Sequence, residues 1–542
     1  MENKNFVNIP KEKFNFVQKD AKLHDKKFET KPVGYLKDAF NRFKKNKGSI
    51  VAAWIVIFLI LFALIGPYCF NADYQKSYEL DKELRYYQYL TPKAPIFEGT
   101  GFWDGTVTRE ITEAQYIKYM LQSRETGIDA IVKVFETYES KDSNGVKKMY
   151  KVRFNNYANI NSFTKQLTQE QYEELQAWQN ENNVQVIMPW VDYYDKHSEA
   201  EFIKNSQVLF NNINVWYNCD SKGNPLDAEG NLVTVDSIDS VVHGYRTYTS
   251  QGPVLDLYDS LRIEGDPGIE DPTSPDRYKY CMRGGSKKNG YTFTVRLNPY
   301  NYFTYKYGFE PYFLFGSSAN GYDIFTRLAQ GARFSLMFAV LVSAINLVIG
   351  AIYGAIEGYY GGTADLVMER ISDILASIPS MVVTVLFNLH LTKYVGTIPA
   401  LLYAFIMTGW IGMASRTRMQ FYRFKNQEYV LAARTLGATD RRVMFKHIFP
   451  NSLGTIITGS ILSIPGVIFS ETSLTYLGII NLDSPTRASV GAMLSAGQGL
   501  MTTYPHLVFF PALFIGLLMV SFNLFGNGLR DAFNPSLRGA ED

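Results

Sequence analysis

Six stretches of the chain contain no Asp, Glu, Lys or Arg: 48–72, 334–356, 374–392, 394–415, 447–470 and 488–529. A helix crosses the hydrocarbon layer with about 20 mostly apolar residues. The pattern therefore predicts six transmembrane helices, near 49–65, 334–356, 374–392, 399–413, 447–470 and 505–527. The last window is long enough to hold a loop before a helix starting near Pro505. The fold class that follows is a mostly α, polytopic membrane protein.

Between the first two windows lie about 245 residues of different character. Residues 68–312 carry 26 Lys and Arg against 34 Asp and Glu, a net of −8, and are rich in Tyr and Asn. The tail 1–47 holds 13 Lys and Arg against six Asp and Glu, which by the positive-inside tendency places it in the cytoplasm. Helix 1 over 48–67 then runs outward, and 68–312 is expected to be an extracytoplasmic domain. In the tail, Tyr35, Leu36, Ala39, Phe40 and Phe43 share one helical face opposite Lys37, Arg42, Lys44 and Lys45; an interfacial helix and a solvated charged tail both fit. Whole-chain values (46% hydrophobic, net charge +2, mean hydropathy −0.12) look like those of a soluble protein because the charge is so unevenly spread. The near-zero net charge gives no reason to expect nucleic acid.

The large insert reads as mixed α/β. Thr168-Gln-Glu-Gln171 is a capping-box pattern opening a helix to about Gln179. Strand-like alternation or β-rich composition marks 147–154, 184–191 and 291–297, with turn signals at Ser143-Asn144-Gly145 and Lys222-Gly223-Asn224-Pro225 and a hairpin-like 218–235. Its two histidines, His197 and His243, lie in no HExxH, and GxSxG is absent, so a binding or docking role fits better than catalysis. Of three cysteines, Cys219 and Cys281 fall here, and a disulfide or two free thiols are both open. No CxxC or Cys/His cluster suggests a structural metal.

Charged residues within the apolar part are few. Asp373 enters the third predicted span, one turn from Arg370, and either pairs with that arginine or faces a solute path. Glu471 sits in the fifth, where it hydrogen-bonds a neighbouring helix or meets a solute. Pro379 predicts a kink in the third span, Gly350 and Gly354 a close helix contact in the second, and 357–362 a flexible turn. Arg327 and Arg333 lie near the membrane boundary. Between spans four and five, on the cytoplasmic side by parity, runs 427–450, QEYVLAARTLGATDRRVMFKHIFP. A short helix over 427–436 should end at Gly437 in the left-handed conformation. Thr439 should cap a second short helix with Asp440 in its first turn, which Pro450 ends. Charge alone leaves two readings, a topology-fixing loop or a cationic knob made by Arg434, Arg441, Arg442 and Lys446.

Several motifs then narrow the choice. Glu428-Tyr-Val-Leu-Ala-Ala-Arg-Thr-Leu-Gly437 with His447-Ile-Phe-Pro450 resembles the EAA motif of ABC importer permeases. Residues 316–336 resemble the GTDxxGRDxxSRxxxGARxSL signature of the oligopeptide and dipeptide (OppC/DppC) branch. Gly358-Tyr-Tyr-Gly-Gly362 with Asp365, Glu471-Thr-Ser-Leu-Thr-Tyr-Leu-Gly478, Gly528-Leu-Arg-Asp-Ala-Phe-Asn-Pro535 and Phe43-Lys-Lys-Asn-Lys47 agree with it. The resemblance covers about 35–67 and 313–538. Leu431 stands where the motif's name has Glu, Phe449 where Leu is usual, and Ser318 and Tyr322 replace the Asp and first Arg of GTDxxGRD. The insert is the largest departure.

The resemblance implies a type I ABC importer permease fold, with a core over 313–530, the coupling loop 427–450 within it and a cytoplasmic tail 531–542. It also implies a bacterial cell-membrane protein that pairs with a second permease, two ATPase subunits and an extracytoplasmic peptide-binding protein. Glu428, Ala432, Ala433, Arg434, Gly437, Arg441, Arg442 and Pro450 would face an ATPase. The chain has no GxxxxGK[ST], so it is expected to be no enzyme and to bind no cofactor, with ATP and Mg handled by the partner ATPases. Oligopeptide import is the leading expectation. Dipeptides, nickel or another solute, and a membrane-anchored receptor or sensor built on the insert, are the alternatives.

Overall fold

The computed structural model describes residues 35–69, 87–142, 145–159, 163–182, 184, 186–188, 226–227, 229–240, 281–286, 290–484 and 487–533. Helix α1 (Tyr35–Lys45) turns the pattern of the basic tail into a packed face. Ala39 and Phe43 are buried, Phe43 edge-on to Phe525 at 5.7 Å, while Phe40 stays exposed under Lys44. Asn46 then caps α2 (Lys47–Ile65) by accepting from Ser49 N at 3.2 Å.

Among its described residues the insert forms two small antiparallel sheets. In the first, β1 (Thr106–Thr112) and β2 (Ile131–Asp142) flank β3 (Gly145–Asn155), and α3 (Glu113–Thr126) opens on a capping box between Thr112 and Gln115. In the second, β4 (Phe163–Thr168) leads into α4 (Gln169–Asn182), and β5 (Ile187–Met188) and β6 (Cys281–Ser286) join through β7 (Gly290–Leu297). The expected box is there: Thr168 N donates to Gln171 Oε1 at 3.1 Å and Gln171 N to Thr168 Oγ1 at 3.3 Å. Strand expectations at 147–154 and 291–297 match β3 and β7. Of 184–191 only Ile187–Met188 is strand among the described residues, and of 218–235 a Leu226–Leu232 bridge is seen. Each sheet has its own core: Ile111, Val152 and Phe154 in one, Leu175, Val295 and Leu297 in the other. Helix α5 (Pro299–Tyr307) closes the insert.

The membrane part begins at α6 (Ile324–Tyr360), 37 residues or about 55 Å long. It is longer than the uncharged window 334–356 suggests, because its first turn absorbs charge: Asp323 caps it and Arg327 is buried in an ion pair. It also continues through 357–360, where a flexible turn was expected, because Glu357 is buried within it. Helices α7 (Gly362–Ala376) and α8 (Ser380–Val395) replace the single third span expected at 374–392, bent by 71°. Pro379 lacks an N–H and disfavours the α conformation at Ile378, so the helix must restart. Then come α9 (Thr397–Gly409), α10 (Ile411–Phe424) and α11 (Glu428–Thr435). Helix α12 runs over Asp440–Tyr476, followed by α13 (Val490–Gln498) and α14 (His506–Phe533).

Among the described residues five helical stretches are long and apolar enough to cross a membrane, or six if α7 and α8 count as one. Gly354 lets α6 and α10 meet: a Cβ there would lie 2.1 Å from Ala414 O. The expectation that Pro450 ends a short helix is wrong. A π turn over Val443–Ile448 precedes it, Phe449 N–H donates to Met444 O five residues back, and α12 continues past it. The widened turn accommodates a residue with no donor of its own.

The insert is bound to this core. Leu90 N donates to Ser317 Oγ at 2.8 Å, the Ser317 hydroxyl donates to Tyr87 O, and Lys93 N donates to Phe313 O at 2.9 Å. Tyr89 stacks on Tyr504 at 4.6 Å, and Trp103 Nε1 donates to Leu314 O.

Candidate functional site

The segment between α10 and α12 forms a knob with a defined internal geometry. Helix α11 closes in a Schellman motif: Gly437 N donates to Arg434 O at 2.9 Å and Ala438 N to Ala433 O at 3.0 Å, with Gly437 at φ +81°. Thr439 is extended at φ −66°, ψ 153°, so the chain turns and re-enters a helix at Asp440. Beneath, Val430, Val443, Met444 and Ile448 pack on Ala355 and Phe421. Two polar contacts fix the turn to α6: Tyr359 Oη donates to Asp440 Oδ1 at 2.5 Å, and Arg434 lies over the Tyr359 ring at 5.0 Å.

The outer face of this knob is both basic and apolar. Glu428, Ala432, Arg434, Gly437, Arg441, Arg442 and Pro450 are exposed, and Ala433 is half-buried. Tyr429, Leu431 and Phe445 are exposed beside them, and Leu436 is 87% exposed. The knob thus presents apolar side chains and arginines on one exposed face.

Next to the knob lies a cluster that sequence reading did not assemble. Arg418 on α10 binds Asp365 through two bonds of 2.6 and 2.8 Å and Glu369 through two of 2.9 and 3.0 Å, and lies 3.5 Å from Glu357. Tyr422 donates to Asp365, and Lys425 Nζ to Gly358 O at 3.0 Å. The available signal was Asp365 and Glu369 at i, i+4 on one helix face.

The other singled-out residues sit apart from the knob. Glu471, 21 residues beyond Pro450 on α12 and so about 32 Å along it, is buried. It accepts from Ser335 Oγ at 2.7 Å and Ser489 Oγ at 3.3 Å, tying α12 to α6 and to the start of α13. Asp373 is exposed and accepts from Arg370 at 3.1 Å. At the insert side, Arg327 pairs with Asp483 at 2.6 Å, donates to Ser484 O and lies over the Tyr322 ring at 4.7 Å. Arg333 donates to Tyr68 Oη at 3.0 Å. Cys219 lies outside the described residues, as do His197 and His243; Cys281 is in β6, and its side chain is not described. Among the described residues no three His, Cys, Asp or Glu side chains are grouped to hold a metal.

The family profile described as "Binding-protein-dependent transport system inner membrane component" matches residues 346–539. That for the "N-terminal TM domain of oligopeptide transport permease C" matches 34–92. The "Oligopeptide transport system permease protein OppC" of Bacillus subtilis (strain 168) is 46% identical over 224 residues, 41% of this chain and 72% of that protein. The chain belongs to the OppC/DppC branch of the binding-protein-dependent transport inner-membrane components. The "Dipeptide transport system permease protein DppC" of the same organism is 41% identical over 225 residues, 41% of this chain and 69% of that protein. A chain of a solved amino acid ABC transporter aligns with this permease at TM-score 0.31 and 15% identity, over 38% of this chain and 93% of that one. The knob, Arg418 and Glu471 all fall inside the matched stretch 346–539. Neither profile touches 93–345, the range that holds both sheets and the start of α6.

Proposed function

We propose that this permease translocates oligopeptides across a bacterial cell membrane as one subunit of an ATP-driven importer. In this reading it pairs with a second permease and rests on two ATPase subunits, which bind and hydrolyse ATP with Mg. An extracytoplasmic binding protein delivers the peptide, both termini are cytoplasmic and the insert is extracytoplasmic. The observation that carries the proposal is the knob, a Schellman-closed turn holding Leu436 and three arginines outward while Tyr359 and Val430 hold its base to α6. A convex surface of that kind transmits displacement to the membrane helices without deforming, which rigid coupling to an ATPase requires. Glu428, Ala432, Ala433, Arg434, Gly437, Arg441, Arg442 and Pro450 form or border that surface. Glu471 serves in helix pairing through Ser335 and Ser489, and Asp373 pairs with Arg370.

The test is co-purification with two ATPases and a second permease, followed by reconstitution with the binding protein. ATP-dependent uptake of a radiolabelled oligopeptide is expected; partners present but no peptide moving would overturn the substrate, and no partners would overturn the assembly. A dipeptide substrate is the second reading, supported by the 41% identity to the dipeptide permease, and uptake of a dipeptide in preference to a pentapeptide would establish it.

A further inference from the structure

We propose that the loop at Pro95–Trp103 of the insert is a membrane-docking element that seats its apolar side chains in the interfacial layer of the lipid bilayer. Ile96 is 90% exposed and Phe102 65% exposed, with Phe97 exposed between them. The loop is built to present them. The Asp104 carboxylate folds back to accept from Gly101 N at 2.6 Å, Thr106 N at 3.0 Å and Thr106 Oγ1 at 2.6 Å. Trp103 takes the left-handed φ of 56°, which a bulky residue adopts only when its surroundings impose it. Glu98 is the one charged side chain between Pro95 and Trp103.

Ring contacts fix the level of the loop relative to the membrane helices. Phe97 stacks on Trp103, and Trp103 packs on Phe510 at 5.6 Å and Phe315 at 6.2 Å. One turn along α14, Phe514 touches Phe62 of α2 at 6.0 Å, and Phe62 meets Phe325 at 5.2 Å. Phe510 stands four residues, about 6 Å, from Phe514 toward the insert. The same rise along α2 from Phe62 reaches about Gly66, within the apolar stretch that ends at Tyr68. Tyr68, exposed at the end of that stretch, marks the aromatic boundary layer on this side. Trp103 is thus at the depth where hydrocarbon meets headgroups, and exposed Phe509 beside Phe510 continues the apolar surface into α14. Lipid is the occupant this continuity favours over a second protein: the patch extends a lipid-depth helix surface, and Ile96 and Phe102 match the shallow insertion of interfacial elements.

The test places an environment-sensitive fluorophore at Phe102→Cys and, separately, at Ile96→Cys, in a full-length chain whose native cysteines are serine. Each is reconstituted in vesicles of phosphatidylcholine and phosphatidylglycerol, and Glu139→Cys on β2 serves as the exposed control. Brominated acyl chains should quench both loop labels several-fold more than the control, with blue-shifted emission. Ile96 makes so little packing contact that its label keeps the test valid if Phe102→Cys fails to fold. Quenching equal to the control overturns the proposal. So does quenching that disappears on assembly with the second permease, because the patch is then a protein interface.

Discussion

At Gly437 conformation and space separate cleanly. Its φ of +81° excludes a β-branched side chain, yet a Cβ there would meet nothing within 4 Å. Gly437→Asn should therefore retain the turn, since Asn tolerates the left-handed region. Gly437→Val should strain it by roughly 1–2 kcal/mol and lower peptide moved per ATP hydrolysed in the reconstituted complex; equal stoichiometry for the two variants would contradict the proposed coupling role. Asp323 offers a pH test. Burial pushes its carboxyl up to about 6, although Thr326 and the Phe325 N–H donate to it. A carboxyl held above its unfolded value contributes stability that is full below the unfolded pKa and is lost as pH rises through the folded one. The melting temperature should fall between pH 5 and pH 7.5 by more than it does in Asp323→Asn, as thermal unfolding in detergent would record. Gly437 could be read from sequence because one residue type suits one backbone state. Arg418 could not, because its partners lie about 50 residues away and only the packing of α7 and α10 against α6 brings them together.

Helices in this permease carry their irregularities where the sequence placed a proline, but the outcome differed each time. Pro379 breaks a span into α7 and α8, whereas Pro450 sits past a π turn inside an unbroken α12. Local propensity marks both positions equally, and only tertiary packing of Val443, Met444 and Ile448 decides that the second helix continues. The glycine pair was legible for the opposite reason, since its function is simply to lack a side chain. Gly354→Ala should cost on the order of 1–3 kcal/mol, the usual range for overpacking, because its Cβ would press on Ala414 O. Gly412→Ala, where nothing lies within 4 Å, should leave the melting temperature unchanged or slightly raised. Similar losses for both would place the close α6–α10 contact elsewhere.

At the scale of the whole molecule, the membrane part was legible because bilayer thickness imposes a length on apolar runs, and the insert was not because alternation in a short strand fixes no partner. The second sheet joins β4 to β7 across more than 100 residues, which no local pattern announces. The two sheets have cores separate from the membrane cluster. Excising 163–297, whose end residues Phe163 and Leu297 pair side by side, behind a short flexible linker should therefore leave a monodisperse permease with a similar melting temperature in detergent. Aggregation of that variant, with the intact chain well behaved, would mean that the second sheet supports the core.

The anchorage of the insert at Ser317 and Tyr504 has a mechanical consequence. The lobe is fastened just ahead of α6 and α14, so a tilt of those helices would be carried into it. The β2–β3 hairpin, 12 residues long on β2, extends about 40 Å. At that radius a tilt of about 10° sweeps the tip through an arc of roughly 7 Å. Movements too small to resolve within the helix bundle are thus magnified at the hairpin tip, which makes Lys141 a natural pointer for spin-label or fluorescence distance measurements of the transport cycle.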